Sequence, residues 1–282
     1  MLIRSLLFAS LIACGISAVP TGADVFMEVR DQVIKRSKGA FWGNDGPANA
    51  DVAYDSDSKD SSKTWFPSVL LSIADKDKSI LQDAVIDLYN GKEDNSFQTD
   101  KVKIKLPKPE GGKQEIEVSY DDALKLDKDV GIQGGYYWWP AAFRYAINQI
   151  QGWKGIDDQG YLTDEGDPEI GFNMLTDKKV EIKSPNDLDD IWKFIEDNSI
   201  TKSADDQDKA PKISIVLSTN DKVTSDSGLS KNHNYALLYT DDGNKIWLKD
   251  PDANVGFKNP KFDDIKNSID KLYLVGDAIE GL

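Results

Sequence analysis

One stretch decides the fold of the second half of this chain: Asn232-His233-Asn234-Tyr235-Ala236-Leu237-Leu238-Tyr239. An Asp-Gly turn follows at residues 242–243, and then Ile246-Trp247-Leu248-Lys249-Asp250-Pro251. Two short apolar runs joined by Asp-Gly predict a β-hairpin. His233, the only histidine of the chain, begins the first strand, and Asp250 ends the second. An imidazole and a carboxylate on adjacent strands are two of the three groups of a hydrolytic triad, so the position of a nucleophile becomes the main functional question.

The N-terminus has the features of a secretory signal peptide. Residues 2–13 carry one positive charge, Arg4, within an apolar run, and Ile16-Ser17-Ala18 offers a cleavage point before Val19. This run is too short to span a bilayer, and no other stretch approaches that length. We therefore expect a secreted, extracellular protein with residues 1–18 as signal peptide. Cys14 is the only cysteine, so the mature chain would contain neither a disulfide nor a thiolate.

The charge of the chain restricts its partners. It has 34 Lys and Arg residues against 49 Asp and Glu residues, a formal net charge of −15. Repulsion of this sign disfavours nucleic acid and anionic membranes as partners. A protein or peptide partner is therefore expected, and the acidic balance is compatible with high solubility, with Ca²⁺ or with basic partners.

The first half of the chain has mainly helical patterns. Thr64 suits a helix N-cap, Pro67 falls in the first turn where proline is tolerated, and the following run is apolar on all sides, which predicts a buried helix from Thr64. A second helix is predicted over residues 79–88, and an amphipathic helix begins at Trp139. Between them, alternating residues 102–106 and 116–120 predict a hairpin with one solvent-facing side.

The second half is richer in strands. Ser184-Pro185-Asn186-Asp187 predicts a capped helix whose buried face includes Trp192 and Ile195. Strands are predicted at residues 213–217, 235–239, 246–248 and 272–275. This order predicts an α+β fold with a site in a cleft between the halves. The predicted organisation is an extended N-terminal segment over residues 19–45, a helical lobe over 46–183 and a β-rich lobe over 184–282.

Several pieces of sequence occur in an order that resembles a known family. The first is Ser62-Lys63-Thr64-Trp65-Phe66-Pro67-Ser68-Val69-Leu70-Leu71, and the others are residues 137–142, 172–176, 189–193, 232–236 and 247–251. They resemble the catalytic core of the calpains, which are papain-fold cysteine proteases. In that family an Asp-Cys-Trp motif opens a buried central helix, and the His and Asn of the triad lie on strands of a second lobe. The resemblance spans roughly residues 45–275 and implies a two-lobed papain-like architecture.

The catalytic positions of the family are only partly kept. The resemblance places Thr64 at the cysteine position, His233 at the histidine position and Asp250 at the asparagine position. No glutamine for an oxyanion hole occurs in residues 55–63, and the tryptophan that shields the His-Asn pair is Asp252. A threonine hydroxyl is far less acidic than a thiol and needs a strong base and an oxyanion hole to attack an amide. The three residues are therefore expected to be positional equivalents without activity.

Three functional hypotheses follow. The first is a secreted pseudoprotease that binds a protein or peptide and requires no cofactor. The second is a residual Thr64-His233-Asp250 hydrolase, against which a purely structural role of Thr64 as N-cap has to be weighed. The third is an extracellular module stabilised by Ca²⁺, because acidic loops supply hard oxygen ligands and calpain cores bind Ca²⁺ in such loops. Its candidate ligands are Asp157, Asp158, Asp164, Glu165 and Asp167.

Overall fold

The apolar run after Thr64 forms helix α1, Trp65–Lys76, in a computed structural model. The structure describes residues 40–43, 45–48, 52–54, 61–89, 99–130, 132–134, 137–184, 192–196, 213–241, 243–251 and 256–276. All of them belong to one compact unit, Ser37–Leu282. The predicted signal peptide and most of the predicted extended segment lie outside these ranges. Across the described ranges, no helix has the length and apolarity that a bilayer crossing requires.

Helices and strands both contribute substantially, so the predicted α+β class is confirmed. The further helices are α2 Ser79–Ala84, α3 Tyr120–Val130, α4 Trp139–Asn148, α5 Pro168–Leu175 and α6 Phe262–Ile265, and residues 192–196 are also helical. The strands are β1 Val52–Tyr54, β2 Val85–Tyr89, β3 Lys101–Pro107, β4 Lys113–Ser119, β5 Ile132–Gly134, β6 Glu181–Lys183, β7 Ile213–Thr219, β8 Asn234–Asp241, β9 Lys245–Lys249, β10 Phe257–Lys258 and β11 Ile269–Gly276. The predicted 102–120 hairpin, the helix from Trp139 and the four predicted strands of the second half are all present.

A six-stranded antiparallel sheet organises the second half. Its strand order is β10-β9-β8-β7-β11-β6. Strand β7 is buried along its whole length because both faces of the sheet are covered. Alternate residues Ile213, Ile215 and Leu217 join one hydrophobic cluster, whereas Val216 joins a second cluster that includes α1. Helix α1 therefore packs on one face of this sheet.

Two features differ from the predicted layout of the first half. Helix α2 ends at Ala84, and Val85 begins strand β2, so the prediction of one helix over residues 79–88 was wrong. β2 pairs with β3 in a three-stranded sheet, and the β-branched Val85 and Ile86 suit that pairing better than a helix. Strand β6, at the end of the predicted helical lobe, pairs with β11 and so belongs to the six-stranded sheet.

Candidate functional site

Thr64 immediately precedes α1, but it does not cap the helix with its side chain. A 3₁₀ turn, Ser61–Thr64, leads directly into α1, and the backbone of Thr64 is already helical, with φ −76° and ψ −6°. Its side chain makes no capping hydrogen bond. The expectation that Thr64 acts as a side-chain N-cap was therefore wrong, because an N-cap hydroxyl needs an extended backbone to reach the free N–H groups of the first turn.

The hydroxyl of Thr64 instead contacts the strand that carries the histidine. Thr64 is 1% exposed, and its Oγ1 accepts a hydrogen bond from the backbone N–H of Asn234 at 3.1 Å. The side-chain Nδ2 of Asn234 is 3.5 Å from the same oxygen. Asn234 directly follows His233, so the structure brings the predicted nucleophile position next to the predicted base position.

This contact belongs to a polar row along one side of α1, which the sequence analysis did not find. Ser68 Oγ donates to the carbonyl of Asn234 at 2.7 Å, and Ser72 Oγ donates to the carbonyl of Ile215 at 3.0 Å. Lys76 Nζ donates to the carbonyl of Leu238. The four polar residues stand four positions apart and so lie on one face of the helix. Their spacing within an otherwise apolar helix was the sequence signal for this docking face.

His233 is held firmly by its backbone. Its N–H donates to Thr219 Oγ1 at 3.0 Å, and its carbonyl accepts from the Thr219 N–H at 2.9 Å. The preceding residue, Asn232, has a φ of 50°, a left-handed conformation that asparagine tolerates better than most residues. The His233 ring lies 4.5 Å from the ring of Tyr235, between centroids. These contacts fix the imidazole at the start of β8.

The predicted His233–Asp250 pair is formed. His233 Nε2 and Asp250 Oδ1 are 2.8 Å apart, and the residues are 5% and 2% exposed. A carboxylate only accepts hydrogen bonds, so Nε2 is the donor in this contact. Nδ1 is buried and has no hydrogen-bond partner among the described residues. No hydrogen bond therefore joins the Thr64 hydroxyl to the imidazole.

A depression lies beside Lys63, the residue that precedes Thr64. It has a volume of about 440 Å³ and is lined by Lys63, Asp157, Tyr161, Leu162, Thr163 and Asp164. The lining loop is anchored on Trp65, whose Nε1 donates to the carbonyl of Thr163 at 3.1 Å. Gly166 allows this close approach, since a Cβ at that position would lie 2.2 Å from the indole. The loop is therefore fixed against the start of α1.

Two of the acidic loop residues proposed as Ca²⁺ ligands accept hydrogen bonds from backbone N–H groups. Asp157 Oδ1 accepts from the N–H groups of Gln159 and Tyr161, at 3.0 and 2.7 Å. Asp167 Oδ1 caps α5 by accepting from the Ile170 N–H at 3.0 Å. In the described part of the chain, no three His, Cys, Asp or Glu side chains are grouped so that they could hold a metal ion. Two of the five candidate carboxylates, those of Asp157 and Asp167, therefore serve a turn and a helix cap.

Comparison with known proteins adds no family assignment. No model of a known protein family matches the chain, and no curated protein sequence matches it significantly.

Proposed function

We propose that this protein is a secreted relative of the calpain catalytic core, with its two-lobed papain-like architecture, that has lost its nucleophile and acts by binding a protein or peptide. One observation carries the proposal: Thr64 Oγ1 accepts the N–H of Asn234, while Nδ1 of His233 has no hydrogen-bond partner in the part of the chain that the structure describes. A serine or threonine nucleophile needs a base that is hydrogen-bonded to its hydroxyl and removes its proton. Here the imidazole and the hydroxyl are neighbours without that bond.

The burial of the three positions supports the same proposal. Thr64, His233 and Asp250 are all at most 5% exposed. An attacking oxygen has to come within about 3–3.5 Å of the substrate carbonyl, and a side chain that is 1% exposed does not offer that approach without a rearrangement of its surroundings. The Thr64 hydroxyl instead contributes to the docking of α1 on the sheet, where Thr64 and Ser68 contact β8 and Ser72 contacts β7.

The alternative of a residual Thr64-dependent hydrolase has one observation in its favour. The 2.8 Å contact between His233 Nε2 and Asp250 Oδ1 is the arrangement by which a carboxylate orients a catalytic base. The same contact also serves the fold, because it joins the start of β8 to the residue after β9 and satisfies two buried polar groups. A kinetic experiment separates the two roles.

The experiment offers a broad peptide and ester library to the chain that begins at Val19. Thr64→Ala, His233→Ala and an exposed control, Ser225→Ala, are assayed in parallel. The proposal predicts that all four proteins give the background rate of the buffer. Turnover by the unchanged protein and the control that disappears in both Thr64→Ala and His233→Ala would establish the hydrolase instead.

A further inference from the structure

One face of strand β9 carries lysines and aromatic residues side by side. Lys245, Trp247 and Lys249 alternate with the buried Ile246 and Leu248 and so point to the same side of the sheet. Phe257 of β10 stands opposite Lys249 of β9, and Lys261 stands opposite Lys245 in an isolated β-bridge. We call these five residues, Lys245, Trp247, Lys249, Phe257 and Lys261, the lysine–aromatic strip.

Among the described residues, the lysines of this strip make no close ion pair of the kind that several other lysines make. On the β3–β4 hairpin, Lys101 and Lys105 form ion pairs with Glu117 and Glu115. Within the described ranges, by contrast, no carboxylate lies within ion-pair distance of Lys245, Lys249 or Lys261. Asp241 partly offsets this charge, because it interacts electrostatically with Lys245 and accepts a hydrogen bond from Trp247 Nε1 at 3.4 Å. Three lysines nevertheless stand on one face of a chain whose net charge is −15. Because charges are screened beyond about 8 Å at physiological ionic strength, this local charge decides what binds there.

The aromatic side chains give the strip an apolar centre. Phe257 is 55% exposed, the largest value among the large hydrophobic residues described. The Lys249 ammonium lies 4.4 Å from the centroid of the Phe257 ring, a cation–π contact. Burial lowers the pKa of Lys249, and Asp250 partly opposes this effect. A half-buried cation gains more from an incoming carboxylate than a fully hydrated one.

We propose that the lysine–aromatic strip binds an acidic, extended segment of a protein partner, with carboxylates on Lys245, Lys249 and Lys261 and an apolar side chain on Phe257. Aromatic residues within a polar rim are typical of the residues that dominate protein interfaces. This inference deepens the proposed binding function by naming the chemistry of the partner. The strip adjoins the candidate site, because Lys249 directly precedes Asp250.

The test measures binding of a short synthetic peptide of alternating glutamate and glycine with one central phenylalanine, labelled with a fluorophore. The variant Lys245→Glu/Lys249→Glu should bind it about tenfold more weakly, because two lysines that attract the glutamates are replaced by carboxylates that repel them. The control Lys154→Glu/Lys179→Glu changes the net charge equally, at exposed residues outside the strip, and should stay within about twofold of the unchanged protein. Phe257→Ala, which alters no charge and removes an exposed ring, should also weaken binding.

Equal weakening by both double variants, or no effect of Phe257→Ala, would overturn the inference. Tighter binding of single-stranded oligo(dT), or of the same peptide with lysine in place of glutamate, would also overturn it. Mass spectrometry of the recovered peptide separates this inference from the proposed function. A cleaved peptide would contradict the proposed loss of catalysis but not the proposed binding at the strip. An intact peptide that does not bind would contradict only the proposed binding at the strip.

Discussion

Replacing Thr64 with valine removes the hydroxyl and keeps nearly the same shape. The backbone N–H of Asn234 then loses its acceptor at 3.1 Å, in a place where Thr64 is 1% and Asn234 is 8% exposed. A buried donor left without a partner costs about 1–3 kcal/mol. We therefore expect Thr64→Val to lower the free energy of unfolding by about 2 kcal/mol, measured by urea denaturation at neutral pH.

The control for this experiment is Thr224→Val, at an exposed threonine between β7 and β8. It should change stability by less than about 0.5 kcal/mol. Ser68→Ala removes the hydrogen bond to the carbonyl of the same residue, Asn234, and should destabilise the protein comparably. If Thr64→Val were as stable as the unchanged protein, the hydroxyl would have no structural role and the argument for a purely scaffolding Thr64 would fail.

Three further predictions concern the surroundings of the site. Gly166→Ala should destabilise the protein by about 3 kcal/mol in urea denaturation, because its Cβ would lie 2.2 Å from the indole of Trp65. Burial raises the pKa of Tyr235 from 10.0 to about 12. As the pH rises, the unfolded chain therefore loses this proton before the folded protein does. The contribution of Tyr235 to the free energy of unfolding is complete below pH 10 and should decline towards pH 12, so the decline in stability should be less steep in Tyr235→Phe. Millimolar Ca²⁺ should leave the melting temperature unchanged, since Asp157 and Asp167 accept backbone hydrogen bonds.

Each of these predictions has a control. Gly243→Ala places its Cβ 3.3 Å from the movable carboxylate of Asp241 and should cost much less than Gly166→Ala; equal costs would contradict the packing argument. If the free energy of unfolding depended on pH in the same way in Tyr235→Phe and in the unchanged protein, the proposed contribution of Tyr235 to this pH dependence would be contradicted. A rise in melting temperature on adding Ca²⁺, reversed by a chelator, would support the calcium-stabilised module.

Local sequence patterns predicted four strands of the second half, β7, β8, β9 and β11, because these strands are apolar and bounded by turn residues. The short β10 and α6 were not predicted, and residues 185–191 of the helix predicted from Ser184 lie outside the described ranges. The His233–Asp250 contact was also predicted, since the two residues stand at matching ends of adjacent strands. Strand β2 was missed because Val85–Tyr89 becomes a strand only through pairing with β3, which begins at Lys101. The capping role expected of Thr64 was wrong because the 3₁₀ turn already gives this residue a helical backbone. Its hydroxyl instead accepts a hydrogen bond from Asn234 in β8.

The row formed by Thr64, Ser68, Ser72 and Lys76 gives a different lesson. Its spacing is visible in the sequence, but the acceptors and donors that it meets are backbone groups of β7 and β8, which no side-chain pattern reveals. Similarly, the net charge of −15 predicts an acidic surface, whereas the register of β9, β10 and Lys261 gathers lysines on one face. Such clusters depend on strand pairing and appear only when the fold is known.

The proposed loss of hydrolytic activity at this site is tested most directly by the peptide turnover of the chain from Val19 beside its Thr64→Ala and His233→Ala forms. We expect the same background rate for all three proteins. A rate well above background that is lost in both variants would contradict it.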